Sequence, residues 1–144
     1  MLKWFSAVVA ALVSAGSVRA AEEVAQDRYR AGQVWEYRTR PGDEASLLRI
    51  QAIEPGGATG TVFHLTIVGV RVTPGGPGVV IGHTPVSRAT LDASVTRLSK
   101  STTVFPSASE GIEEWRRAQG GVFTIPVADI VRVIVETMRE GGAK

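Results

Sequence analysis

Two turns, Pro41-Gly42 and Pro55-Gly56-Gly57, divide the first half of the chain into three stretches in which apolar and polar residues alternate. Alternation at period two marks a half-buried strand. Pro followed by Gly suits the centre of a type II turn, where Gly takes positive φ. Over residues 33–39, Trp35, Tyr37 and Thr39 share one face, with Glu36 and Arg38 on the other. Over residues 47–54, Leu48, Ile50 and Ala52 share a face. Over residues 61–72, Phe63, Leu65 and Ile67 face one way and His64 and Thr66 the other, until Gly69 shifts the apolar set to Val70 and Val72. A glycine at such a shift predicts a bulge or bend. Together these segments predict an antiparallel meander.

After the loop Pro74-Gly75-Gly76-Pro77-Gly78, residues 79–81 read as a short further strand, and His83 reads as a turn histidine ahead of Pro85. The period then changes. Ser87 is placed to cap a helix running to about Lys100, with Leu91, Val95 and Leu98 on one stripe. Ser107 and Glu110 have capping-box spacing for a second helix carrying Ile112, Trp115 and Ala118 together. Residues 122–125 read as a strand. Pro126 then starts a last segment whose Val127, Ile130, Val131, Ile134 and Met138 recur at helical spacing, although Val131, Val133 and Val135 also alternate as in a strand. The expected fold is α+β: an antiparallel meander of three to five strands with about three helices packed on one face.

The head has the order of a secretory signal: Lys3, an apolar run from Trp4 to Val18, then Val18-Arg19-Ala20 with compact residues at the −3 and −1 positions of a cleavage site. The run is too short for a stable span. The division expected is a signal peptide over 1–20, a polar leader over 21–28, a single α+β domain over 29–140 and a tail over 141–144. The chain carries 16 basic and 14 acidic residues. Lys3 and Arg19 leave with the head, and the exported part is then balanced, without the basic excess of a nucleic-acid binder. Cysteine is absent, which excludes thiol chemistry, disulfides and a lipid-anchored N-terminal Cys.

No residue set has the pattern of a catalytic centre. His64 and His83 stand nineteen positions apart, without the closely spaced ligands of a zinc site. No Gly-x-Ser-x-Gly elbow is present, and Ser94 and Asp92 point apart on a helix that would have to combine them with His83. Asp43-Glu44 and Glu113-Glu114 read as a solvated turn and a solvated helix face, and the glycine-rich stretches read as turns rather than phosphate loops. No cofactor is expected. Binding is the chemistry the residues suggest: Trp35, Tyr37, Arg38 and Arg40 lead into an exposed turn and are of types enriched at binding hot spots, with His83 as a further candidate.

The stretch Gly32-Gln33-Val34-Trp35-x-Tyr37-x-Thr39-Arg40-x-Gly42-x-Glu44 resembles an uncharacterised family of small bacterial proteins. His83-x-Pro85, Leu91-Asp92-x-Ser94-Val95, and Trp115 followed by Gly121-Val122-Phe123-Thr124-Ile125 extend the resemblance over residues 29–127. It implies a shared fold and one continuous domain, and it transfers no catalytic residue. The expected function is that of an exported, non-catalytic binding or interaction module of the cell envelope. Its partner would be a protein or small molecule, with no membrane span after signal cleavage. The alternatives are a small hydrolase or lyase using His83 or His64 with Asp92, Asp43 or Glu44, and a structural envelope protein.

Overall fold

The turn at Pro41-Gly42 forms as its residues dictate: Gly42 has φ 95°, and the Asp43 N–H donates to the Arg40 carbonyl at 3.1 Å. The computed structural model describes residues 28–142, and the fold below is that of the unit beginning at Ala31. The signal segment, and the leader up to residue 27, lie outside the described residues. Strands β1 (Val34–Tyr37), β2 (Leu47–Pro55), β3 (Thr61–Arg71), β4 (Gly78–Ser87) and β5 (Val95–Leu98) make one antiparallel sheet in the order β4-β3-β2-β1-β5. Helices α1 (Arg88–Ser94), α2 (Ser109–Arg117) and α3 (Val127–Gly142) complete an α+β fold. Gly141 and Gly142, expected in a tail, belong to α3.

The main core lies on one face of the sheet. Trp35 pairs with Leu48, Leu48 with Ile67, and Ile50 with Leu65, so these side chains share a face with Phe63. They are buried together with Val127, Ile130, Val131 and Val135 of α3 and Leu91 of α1. The apolar stripe of the last segment is therefore helical. Ser94 Oγ, at the end of α1, accepts from the Val127 N–H at 2.9 Å and ties the two helices together.

Several elements depart from expectation. The helix capped by Ser87 forms, with Ser87 Oγ accepting from the Thr90 N–H at 3.2 Å, but it ends at Ser94. Val95 turns to extended geometry and pairs with Tyr37, giving the outer edge of β1 a partner. The β-branched pair Val95-Thr96 favours that ladder over a further helical turn. The strand expected over 79–81 is ten residues long and includes His83 and Pro85. Pro85 is tolerated because β4 is the last strand of the sheet. The strand expected over 122–125 is reduced to a parallel bridge between Phe123 and Val86. Ser107 caps no box: α2 starts at Ser109, whose N–H the Ser107 hydroxyl accepts at 3.2 Å.

The helices also do not all share one face. Arg88 of α1 lies over the Phe63 ring, whereas Trp115 of α2 meets the ring of His64, the next residue and therefore on the opposite face. The centre of β3 is thus buried on both sides. Helix α2 reaches the second face because two irregular segments, residues 99–108 and 118–126, carry the chain there and back.

Thr84 faces the main core opposite Leu65, and its buried hydroxyl has no hydrogen-bond partner among the described residues. An orphaned buried hydroxyl costs about 1–3 kcal/mol. Thr84→Val keeps the shape and removes that cost. It is expected to stabilise the fold by about 1 kcal/mol in urea denaturation; an unchanged or lower midpoint would show that the hydroxyl is satisfied.

Candidate functional site

The two histidines of the chain, far apart in sequence, touch. His64 lies on β3 opposite Pro85 of β4, and His83, two residues before Pro85, shares its face. His64 Nδ1 is 2.8 Å from His83 Nε2, and the rings stack with centroids 5.0 Å apart. On the other side His64 Nε2 is 2.5 Å from Glu54 Oε1. Glu54 in turn receives Arg116 Nε of α2, at 3.2 Å on Oε1 and 3.1 Å on Oε2. Trp115 closes over His64 edge-on at 4.8 Å, and its indole N–H donates to the Gly121 carbonyl at 2.8 Å. The result is a continuous chain, Arg116–Glu54–His64–His83, drawn from β2, β3, β4 and α2.

A β-bulge makes this possible. Ile50 pairs with Leu65, but Ala52 pairs with His64, so Gln51 is the extra residue. Without the bulge, Ala52 and Glu54 would follow Ile50 onto the main-core face. With it, Glu54 stands opposite Val62, on the face of His64. The Gln51 side chain then spans that face, donating to Thr66 Oγ1 at 3.0 Å and to the Pro106 carbonyl at 2.9 Å. The expectation that Ala52 shares a face with Leu48 and Ile50 fails for this reason.

The hydrogen bonds fix the proton positions. Burial works to raise the Glu54 carboxyl, but the hydrogen bonds from Arg116 and His64 outweigh it, and Glu54 titrates below the usual carboxylate range. An ionised Glu54 only accepts, so His64 donates from Nε2 and its Nδ1 accepts. His83 must then donate from Nε2, which leaves His83 Nδ1 as a lone pair without a partner among the described residues. Burial pushes the His64 pKa down against the raising effect of Glu54. Burial, then the proximity of His64, pushes His83 down as well. Both rings are held neutral.

A second cluster surrounds a cleft of about 520 Å³ between the Pro41-Gly42 turn, the β3–β4 loop and α3. Arg40, Asp43, Arg71, Arg132, Glu136 and Arg139 line it, among others. Arg40 Nε bonds Asp43 Oδ2 at 2.8 Å, and Arg132 pairs with Asp129 at 2.9 Å. Arg71 and Arg139 instead donate to main-chain carbonyls, Arg71 to Gly76 and Arg139 to Val72, the latter at 2.7 Å. Asp43, read as part of a solvated turn, is buried; its second oxygen accepts from the Arg71 N–H at 2.9 Å.

The five residues singled out from the sequence do not converge. Trp35 and Tyr37 are buried, the Tyr37 hydroxyl 2.7 Å from Ser46 Oγ. Burial, resisted by that hydrogen bond, pushes the Tyr37 phenol up to about 12. Arg38 donates to the Ala93 carbonyl at 2.9 Å and fastens the end of α1. Arg40 alone of the five reaches the arginine cleft, and His83 belongs to the imidazole chain on the second face. Glu54, Arg116 and Arg71 were missed. The hairpin turn after Glu54 was legible and could have brought Glu54 near His64; the bulge at Gln51 has no glycine or proline to announce it. Among the described residues no three His, Asp or Glu side chains gather as a metal site, and no helix is long and apolar enough to cross a membrane. Comparison of the chain with protein families, curated proteins and solved structures gives no match.

Proposed function

We propose that this chain is an exported, non-catalytic binding module of the cell envelope, and that its ligand is an anion seated in the arginine cleft. Export rests on the order of Lys3, the apolar run to Val18 and Val18-Arg19-Ala20. The observation that carries the binding reading is the state of Arg71 and Arg139. Among the described residues each guanidinium is held by a backbone carbonyl and by no carboxylate hydrogen bond or ion pair, with Glu44 acting on Arg71 only through space, so the charge is positioned with donors left over. A guanidinium has five N–H donors in a fixed fork. One bond to a carbonyl leaves enough of them for two-point recognition of a phosphate or carboxylate.

Calorimetric titration of the full chain with inorganic phosphate and with citrate, at low salt, tests this. Saturable binding is expected, weakened about tenfold or more in Arg71→Ala/Arg139→Ala and by raised salt. Absence of binding by both anions, or equal binding by a double variant with unchanged circular dichroism, would overturn it. A second reading, a small hydrolase or lyase, is favoured by one observation: Glu54 orients His64, and His83 presents a neutral Nδ1. It ranks below the first because neither imidazole lines the arginine cleft or the smaller hollow beside α2.

A further inference from the structure

We infer that the Arg116–Glu54–His64–His83 chain is an acid-operated latch that holds α2 on the second face of the sheet and releases it when both imidazoles are protonated. The argument is a count of protons. In the neutral chain every hydrogen bond has one donor and one acceptor. A first added proton goes to His83 Nδ1 and breaks no hydrogen bond, since His83 still donates from Nε2 to His64 Nδ1, but burial and the neighbouring His64 make it bind there less readily than in water. A second has nowhere to go without damage. On His64 Nδ1 it would set two N–H groups against each other across the 2.8 Å gap. On Glu54 it would remove the charge that Arg116 and the Nε2–H of His64 both require. The chain therefore accommodates one proton and breaks on two.

What the latch holds is weakly held otherwise. Helix α2 has nine residues and only Ile112 among them is buried. Irregular chain flanks it on both sides. Three ties of the helix itself to the sheet are the edge of Trp115 on His64, the Arg116–Glu54 ion pair, and the close approach of Gly111 to His83, while Gln51 holds the chain ahead of it at Pro106. All three rest on members of the imidazole chain. The main core, with α1 and α3, lies on the opposite face of the sheet. Few buried contacts and a separate core are the attributes of a segment that opens on its own.

Of the charged groups around the pair, Arg116 and the neighbouring imidazole act in this sense, while Glu54 opposes it by favouring a protonated His64. Glu54 faces His64 from β2 and Arg116 faces Glu54 from α2; each imidazole faces the other from β3 and β4. The other charged side chains of α2, Glu110, Glu113, Glu114 and Arg117, are exposed. Arg116 is already committed to Glu54, so one carboxylate would have to balance a guanidinium and two imidazolium rings. Release places both rings in water, where they protonate at the ordinary histidine value.

Hydrogen–deuterium exchange of the full chain, corrected for intrinsic rates and read by mass spectrometry at about pH 7.5 and about pH 5, tests the latch. Peptides covering α2 are expected to gain opening by about thirtyfold for each proton taken up only in the released state, while β3 and α3 stay protected. In His83→Gln the amide still donates to His64 but does not titrate, so the acid response of α2 should become shallower than that of the wild type, because His64 alone is left to take up a proton on release. Equal protection of α2 at both pH values overturns the inference, and so does loss of protection in α2, β3 and α3 together. If His83→Gln does not fold, imidazole NMR of the wild type decides. Two coupled steps, the second accompanied by a shift of the Trp115 indole signal, support the latch; two independent titrations near the ordinary value overturn it.

Discussion

Gly111→Val is expected to detach α2 and to cost about 2–3 kcal/mol in urea denaturation, the upper part of the range for overpacking. A Cβ at position 111 would lie 2.7 Å from His83 Cβ and 3.1 Å from His83 Cγ. Neither atom is the free end of a flexible side chain: both are close to the backbone of β4. Gly111→Ala separates packing from helix propensity. In an exposed helix that change gains about 1 kcal/mol. Here the contact opposes the gain, and a loss of stability is expected despite the better helix former. An alanine variant more stable than the wild type would mean that α2 does not approach β4 so closely. Trp115 fluorescence should shift to the red in the valine variant, since the indole leaves its place against His64.

The readable parts of this fold were those in which local preference and tertiary demand agree. The Pro41-Gly42 turn, the alternation of Phe63, Leu65 and Ile67, the Ser87 cap and the 3.6-residue stripe of Ile130, Val131 and Ile134 each carry their own instruction. The misread parts were decided elsewhere. Val95 and Leu98 fit the stripe of a continuing helix, yet the unpaired edge of β1 claims them as a strand. Pro85 argues against a strand and is accommodated because β4 ends the sheet. The sites were less legible than the fold for a related reason. Trp35 and Tyr37 belong to residue types common at binding surfaces, but the same rings fill the main core. Glu54 reaches His64 only through the one-residue shift at Gln51. Arg139 reaches the β3–β4 loop from the last helix, a contact across 67 positions that no local pattern encodes.

Acid should destabilise the protein within the histidine range, well before general carboxylate protonation. A histidine whose folded pKa is depressed binds fewer protons folded than unfolded. Its contribution is complete above the unfolded value, near 6.5, and declines as the pH falls beneath it. His64 and His83 are both depressed, chiefly by burial, so both act in this direction. Glu54, also depressed, contributes stability above its usual range and loses it only in stronger acid, as the pH passes its lowered folded value. The histidine loss is bounded by about 2 kcal/mol per ring at pH 5, the free energy of protonating an ordinary imidazole there. It is bounded a second time by the latch, because once α2 has lifted both rings are solvated and acid gains no further purchase through them. Unfolding free energy should therefore drop between about pH 7 and pH 5.5 and then level off until carboxylates protonate. His83→Gln should give up at most about 1 kcal/mol at neutral pH, through an altered hydrogen bond, and should lose less than the wild type on acidification. Urea denaturation across that range, followed by far-ultraviolet circular dichroism, measures both curves. A stability that stays flat or rises as the pH falls from 7 would mean that His64 and His83 are not held neutral in the folded chain.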